Sequence, residues 1–195
     1  MSRLIAFNKP CGVICQFSAD GNRPTLKDFI EIPAVYPAGR LDTDSEGLLL
    51  LTDDGKLQAG ISHPRQKLEK EYWVQVEGLA AEGALQRLRS GLDLGDFITG
   101  PALAAAIPEP PGLWERMPPV RYRKSIPTSW ISLVITEGKN RQVRRMTAAV
   151  GLPTLRLVRA RIGPWRLDGL PSGRWREVAI TPLPSEDAVN RNKSQ

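Results

Sequence analysis

The sequence predicts an α+β fold built around an antiparallel sheet. Strand-like segments outnumber helical ones, and they do not alternate with long helices, so a Rossmann-type sheet is disfavoured. With 41% hydrophobic residues in 195, the chain can bury a real core as one domain or two tightly coupled subdomains.

Segments 4–8, 47–52, 71–77, 129–136 and 154–158 read as strands. In the third, Tyr72, Val74 and Val76 share a face, because strand side chains alternate; in the fourth, Ile131, Leu133 and Ile135 do. The apolar run Leu48-Leu49-Leu50-Leu51 reads as a buried strand. Residues 25–30 read as a short helix. Residues 81–90 put Ala84, Leu85 and Leu88 on one side, with Gly91 as C-terminal cap. Residues 140–150 form the third predicted helix. The segment 108–127 is too rich in proline for a helix or sheet interior and reads as an extended arm between elements. Residues 185–195 are polar and aperiodic, a loose tail.

No run of about 18 apolar residues exists, so no membrane helix is expected. The N-terminus lacks a signal-like region, so the cytoplasm is the expected compartment. Two cysteines, Cys11 and Cys15, and a single histidine, His63, do not make a zinc pattern. Ser45 has no credible histidine partner for serine-hydrolase chemistry.

The net charge of +6 favours a polyanionic partner. The charge is concentrated. Residues 136–161 carry Lys139, Arg141, Arg144, Arg145, Arg156, Arg159 and Arg161 against a lone acid, Glu137. On the helix 140–150, Val143, Met146 and Val150 fall on one side, and Arg141, Arg144 and Arg145 on the other. Guanidinium forks suit phosphate. The arm adds Trp114, Arg116, Arg121, Tyr122, Arg123 and Lys124, a mixture that suits RNA bases and phosphates.

Gly39-Arg40-Leu41-Asp42-Thr43-Asp44-Ser45-Glu46-Gly47 concentrates three acids. It does not match an EF-hand. Taken alone it fits a solvated turn or, remotely, a metal-dependent phosphotransfer site using Asp42, Asp44 and Glu46.

Gly39-Arg40-Leu41-Asp42, continuing through Ser45-Glu46-Gly47-Leu48-Leu49, resembles the catalytic motif of the RsuA/RluA-type pseudouridine synthases, which modify bacterial rRNA. Phe7-Asn8-Lys9-Pro10 with Gly12 resembles the family's opening strand, and Lys70-Glu71-Tyr72-Trp73-Val74 its tyrosine segment. Glu137-Gly138-Lys139-Asn140-Arg141-Gln142-Val143-Arg144-Arg145-Met146 resembles its basic helix, followed by Leu155-Arg156-Leu157-Val158-Arg159. Four motifs in this order span about residues 4–182.

The resemblance implies a mixed, largely antiparallel sheet in two subdomains with the active cleft between them. A catalytic domain would cover 1–184, with one subdomain near 1–62 plus 148–184, the other near 63–147, and no S4-type RNA-binding domain. It implies Asp42 as the catalytic carboxylate, Arg144 as its pairing arginine, and Tyr72 stacked on the flipped base and positioned to take the C5 proton. Arg40, Leu41 and Leu157 would line the pocket. Lys9, Lys139, Arg141, Arg145, Arg156, Arg159, Arg123 and Lys124 are the expected RNA-binding cations. The base must leave the helix stack to react. Asp42 could attack C1′ or abstract a sugar proton, and the sequence leaves both routes open. No redox or external group transfer occurs, so no cofactor or metal is expected. The expected partner is 23S ribosomal RNA, free or in an assembling large subunit, bound by a monomer. Transfer RNA, small-subunit rRNA, or a non-catalytic role in ribosome assembly are the alternatives.

Overall fold

The computed structural model describes residues 2–121 and 123–182; the expected tail at 185–195 lies outside the described residues. In chain order the strands and helices are β1 (Leu4–Lys9), β2 (Tyr36–Pro37), β3 (Glu46–Thr52), α1 (Gly55–Ser62), β4 (Lys70–Glu77), α2 (Glu82–Ser90), β5 (Leu103–Ile107), β6 (Thr128–Ile135), α3 (Gln142–Ala149), β7 (Thr154–Ile162), β8 (Trp165–Arg166) and β9 (Trp175–Glu177). The sheet runs β5-β6-β4-β7-β3-β1-β9, with β2 on β3 and β8 on β7. The expected α+β class and largely antiparallel sheet are found.

The parallel pairing is the β3–β7 seam, where Glu46 lies opposite Val158 and Gly47 opposite Arg159. Strand β7, grouped with the first half of the chain by the expected boundaries, is hydrogen-bonded antiparallel to β4 along most of its length. It pairs with β3 only at this seam.

Strand β3 is buried on both faces, which explains its unbroken leucines. Leu48 and Leu50 join a core with Leu4, Ile61, Val158 and Trp165. Leu49 and Leu51 join a second core with Ile5, Phe7 and Leu26. The third core lies under β4, β6 and β5, where α2 contributes Leu85 and Leu88, and α3 contributes Val143 and Met146. The apolar face expected for α3 is thus the buried one.

Several elements differ from expectation. Helix 25–30 is a single 3-10 turn over Leu26–Asp28, whose Asp28 carboxylate accepts from the Thr25 N–H at 2.7 Å. Helix α1 has no counterpart among the predicted elements. Asp54 caps it, accepting from the N–H groups of Lys56 (2.8 Å) and Leu57 (3.1 Å). Strand β5 is alanine-rich and carries little intrinsic strand preference; pairing with β6 forms it. Strand β7 continues four residues beyond its expected end. No helix among the described residues is long and apolar enough to cross a membrane.

Gly47 is indispensable to the seam. Its φ is +102°, and a Cβ there would collide with the backbone carbonyl and nitrogen of Arg159. Gly47→Ala is therefore expected to destabilise the fold by about 3 kcal/mol or more, through φ strain plus forced separation of β3 and β7. Urea denaturation of the purified variant measures this; a midpoint matching wild type would refute it.

Candidate active site

Residues 39–45 lead into β3 and form a loop pinned from several directions. The Arg159 guanidinium reaches the Arg40 carbonyl at 3.1 Å and the Leu48 carbonyl at 2.8 Å. The Cys15 thiol donates to the Leu41 carbonyl at 3.1 Å. The Thr43 carbonyl accepts from the Gly12 N–H at 2.7 Å and from the Lys9 ammonium at 3.4 Å. From α3, Arg144 donates to the Asp44 carbonyl at 2.9 Å and to Ser45 Oγ at 3.2 Å. These bonds hold the backbone on both sides of Asp42 while its side chain stays 36% exposed.

The loop borders a cleft of about 1110 Å³ that Arg40, Leu41, Asp42, Tyr72 and Leu157 all line. Tyr72 comes from β4 and Leu157 from β7, both nearly buried. Lys139, Arg141 and Arg159 line it too. Asp42 thus faces a partly apolar floor beneath a rim where Lys139 and Arg141 stand beside Asp44 and Glu137, a layout suited to a flipped pyrimidine nucleotide with its phosphates outward.

The cations divide into two groups. Arg141 ion-pairs with Asp44 at 2.9 Å and lies 3.6 Å from Asp42. The ion pair to Asp42 in this structure is therefore made by Arg141. Arg144, expected in that role, instead donates to the Asp44 carbonyl and the Ser45 hydroxyl and ion-pairs with the Asp44 carboxylate at 3.4 Å. Arg145 pairs with Asp96 and stacks over Phe97, where Lys139 also converges. So α3, acid-free in sequence, borrows its counter-charges from neighbouring loops. Arg123 and Lys124 are exposed on the arm.

Three expected RNA-binding cations are interior. Lys9 is fully buried, its ammonium donating to the carbonyls of Pro10 and Val13 at 2.9 and 2.8 Å; burial pulls its pKa down to about 8. Arg156 is clamped on Glu46 by two 2.9 Å bonds. Arg159 is 4% exposed and bonds backbone carbonyls. Burial commits these charges to holding the loop and the arm.

Glu46 is an anchor that the sequence reading does not identify. Only 1% exposed, it receives Arg156 and also the Trp114 indole N–H at 2.8 Å, with Arg116 at 3.5 Å. The proline-rich arm, irregular as expected, is thereby docked at the cleft rather than projecting freely. Glu46 thus belongs to an arginine clamp. Among the described residues no three His, Cys, Asp or Glu side chains are grouped to hold a metal.

Burial alone would raise the Asp44 carboxyl, but the hydrogen bond from Arg141 and the charges of Arg144 and Arg141 hold it below the ordinary 3.8. A carboxylate with a depressed folded-state pKa stabilises fully above its unfolded value and loses that contribution as pH falls through the folded value. The stability gap between wild type and Asp44→Asn is therefore expected to be constant from pH 6 to 8 and to shrink below about pH 4. Chemical denaturation across that range measures it; a gap that widens on acidification would contradict the assignment.

With this geometry in view, the comparisons with known proteins are specific. The family model described as RNA pseudouridylate synthase matches residues 3–149. The chain is 57% identical over 185 residues to "Ribosomal large subunit pseudouridine synthase E" of Xanthomonas axonopodis pv. citri, covering 93% of this chain and 97% of that protein. It is 52% identical over 178 residues to the protein of the same name from Vibrio vulnificus, covering 91% and 76%. It is 38% identical over 172 residues to "Ribosomal large subunit pseudouridine synthase B" of Bacillus subtilis, covering 87% and 65%. A crystal structure of a pseudouridylate synthase superposes with a TM-score of 0.74 at 28% identity, covering 92% of this chain and 71% of that one. The α+β fold, the acidic loop on its cleft and these relatives agree: the chain belongs to the RNA pseudouridylate synthase family and is a pseudouridine synthase.

Proposed function

We propose that the enzyme converts one specific uridine of large-subunit (23S) ribosomal RNA to pseudouridine, with Asp42 as the catalytic carboxylate. The observation that carries this reading is the Asp42 carboxylate, partly open to a cleft lined by Tyr72 and Leu157 while its backbone is pinned on both sides. The names of the Xanthomonas and Vibrio relatives support the choice of RNA. The protein acts as a cytoplasmic monomer on free rRNA or on an assembling large subunit.

The chemistry follows from the layout. The target uridine leaves its stack and enters the cleft, its base against Tyr72 and Leu157. Asp42 engages the sugar, by attack on C1′ or by removal of a sugar proton, and the N1–C1′ bond breaks. The freed uracil, which left with the N1–C1′ electron pair, turns and C5 bonds to C1′ as the Asp42–C1′ bond breaks or, on the other route, as Asp42 returns the proton it took from the sugar, so that the carboxylate is regenerated. The C5 proton leaves through the Tyr72 hydroxyl on the cleft wall, which takes it while passing on its own proton, and N1 gains a proton. Product and substrate are isomers. Arg141 neutralises the carboxylate between turnovers, and Arg144 keeps the loop in register.

The test is pseudouridine mapping on a protein-free 23S transcript incubated with wild-type enzyme and EDTA. A single modified position is expected. Modification confined to transfer RNA or small-subunit rRNA would move the substrate assignment. Loss of no site from any cellular RNA on deletion of the gene would refute the enzymatic reading of this chain's role.

A further inference from the structure

The proline-rich arm brings a guanidinium into the cleft from outside the family's four motifs. Arg116 lines the cleft, yet its own hydrogen bonding is poor. Both Glu46 oxygens are already taken at 2.8–2.9 Å by Arg156 and Trp114, leaving Arg116 Nε at 3.5 Å and, among the described residues, without a hydrogen-bond acceptor. Arg116 Nη2 donates to the Cys11 sulfur at 3.1 Å, a weak acceptor. Two guanidiniums thus share one carboxylate, and the surplus positive charge lies on the one facing the cleft. A largely buried cation with half-used donors is costly unless an anion completes it.

The anchoring is elaborate for a mere loop. Trp114 is held by its indole bond to Glu46, by the Arg156 bond to its carbonyl at 2.9 Å, and by the Arg156 guanidinium over its ring at 5.5 Å. Two residues further on, Arg116 has little freedom left. We propose that Arg116 is a substrate-contacting residue which gives up Cys11 to take a backbone phosphate of the RNA beside the flipped uridine, and that Trp114 on Glu46 is the latch that positions it. This rests on the reading of the cleft as an RNA site.

The test is filter binding of the 23S transcript from 50 to 300 mM KCl (concentrations of the order used for phosphate-contact slopes), with wild type, Arg116→Ala, Arg116→Lys and Trp114→Phe. Arg116→Ala is expected to weaken binding about tenfold and to flatten the salt slope by about 0.7 to 0.9, one phosphate's share. Arg116→Lys should keep the slope but recover only part of the affinity, because the fork is lost. Trp114→Phe should weaken binding less than Arg116→Ala. Thermal melts accompany each variant. An Arg116→Ala protein that melts early but keeps the wild-type affinity and slope overturns the proposal, since Arg116 would then serve the arm's packing alone. The affinity reading needs no turnover. Absence of pseudouridine with wild type would therefore count against the substrate assignment and leave the role of Arg116 to be decided by binding.

Discussion

Asp42→Asn is expected to reduce pseudouridine formation at least about a thousandfold, with RNA affinity unchanged or slightly raised. Asparagine keeps the size and hydrogen-bonding outline of the side chain. It cannot act as a nucleophile at C1′ or as a base, so both open routes lose their essential group. The bonds that fix the loop reach the backbone of Arg40, Leu41, Thr43 and Asp44 and the Ser45 hydroxyl, none of which the substitution touches. Stability should therefore stay within about 1 kcal/mol of wild type. Removing a negative charge 3.6 Å from Arg141 leaves that arginine, still paired with Asp44, less fully neutralised towards phosphate, which favours binding. Single-turnover assays at saturating enzyme separate chemistry from affinity. A variant rate within tenfold of wild type would mean that another residue does the work.

How much of this is legible in the sequence depends on what each residue answers to. Strands β1, β3, β4 and β6 are legible because apolar periodicity and local runs answer to burial on a sheet. The α1 cap signal, an aspartate before Gly55, is present but masked by the second acid, Asp53, which makes the segment look like a loop. The alanines of β5 have no strong preference, and the partner that makes them a strand lies about 25 residues away. In the site, Asp42, Tyr72 and Leu157 are singled out by resemblance and meet in one cleft. The arginines of β7 show the limit. Charge counts cannot tell a solvent-facing guanidinium from one that meets a buried carboxylate, and Arg156 meets Glu46 across 110 positions of sequence. Lys9 likewise looks like a surface cation, although its acceptors are backbone carbonyls that a sequence cannot display.

That long-range clamp yields the largest stability effect we expect. Glu46→Gln should destabilise the protein by about 3–5 kcal/mol, because it removes the anion from a buried group holding two guanidiniums. For a chain of this size the melting temperature should fall by roughly 6–20 °C. The glutamine amide can still accept from one donor, so the geometry of the Trp114 bond survives better than the charge balance. The loss is thus electrostatic, and it can be separated from packing. Adding Arg156→Met to Glu46→Gln takes out one stranded cation and replaces it with a flexible apolar chain between β3 and the arm. The double variant should be more stable than Glu46→Gln alone, although Arg156→Met by itself is destabilising, since it leaves Glu46 with Trp114 and the more distant Arg116. A double-mutant cycle on thermal and urea unfolding gives the coupling. Additive losses would mean that Glu46 and Arg156 stabilise the seam independently. A large favourable coupling would mean that a single carboxylate ties strand β3, strand β7 and the proline-rich arm into one rigid wall of the cleft, so that an anchor with no part in the chemistry still fixes where Asp42 and Arg116 stand.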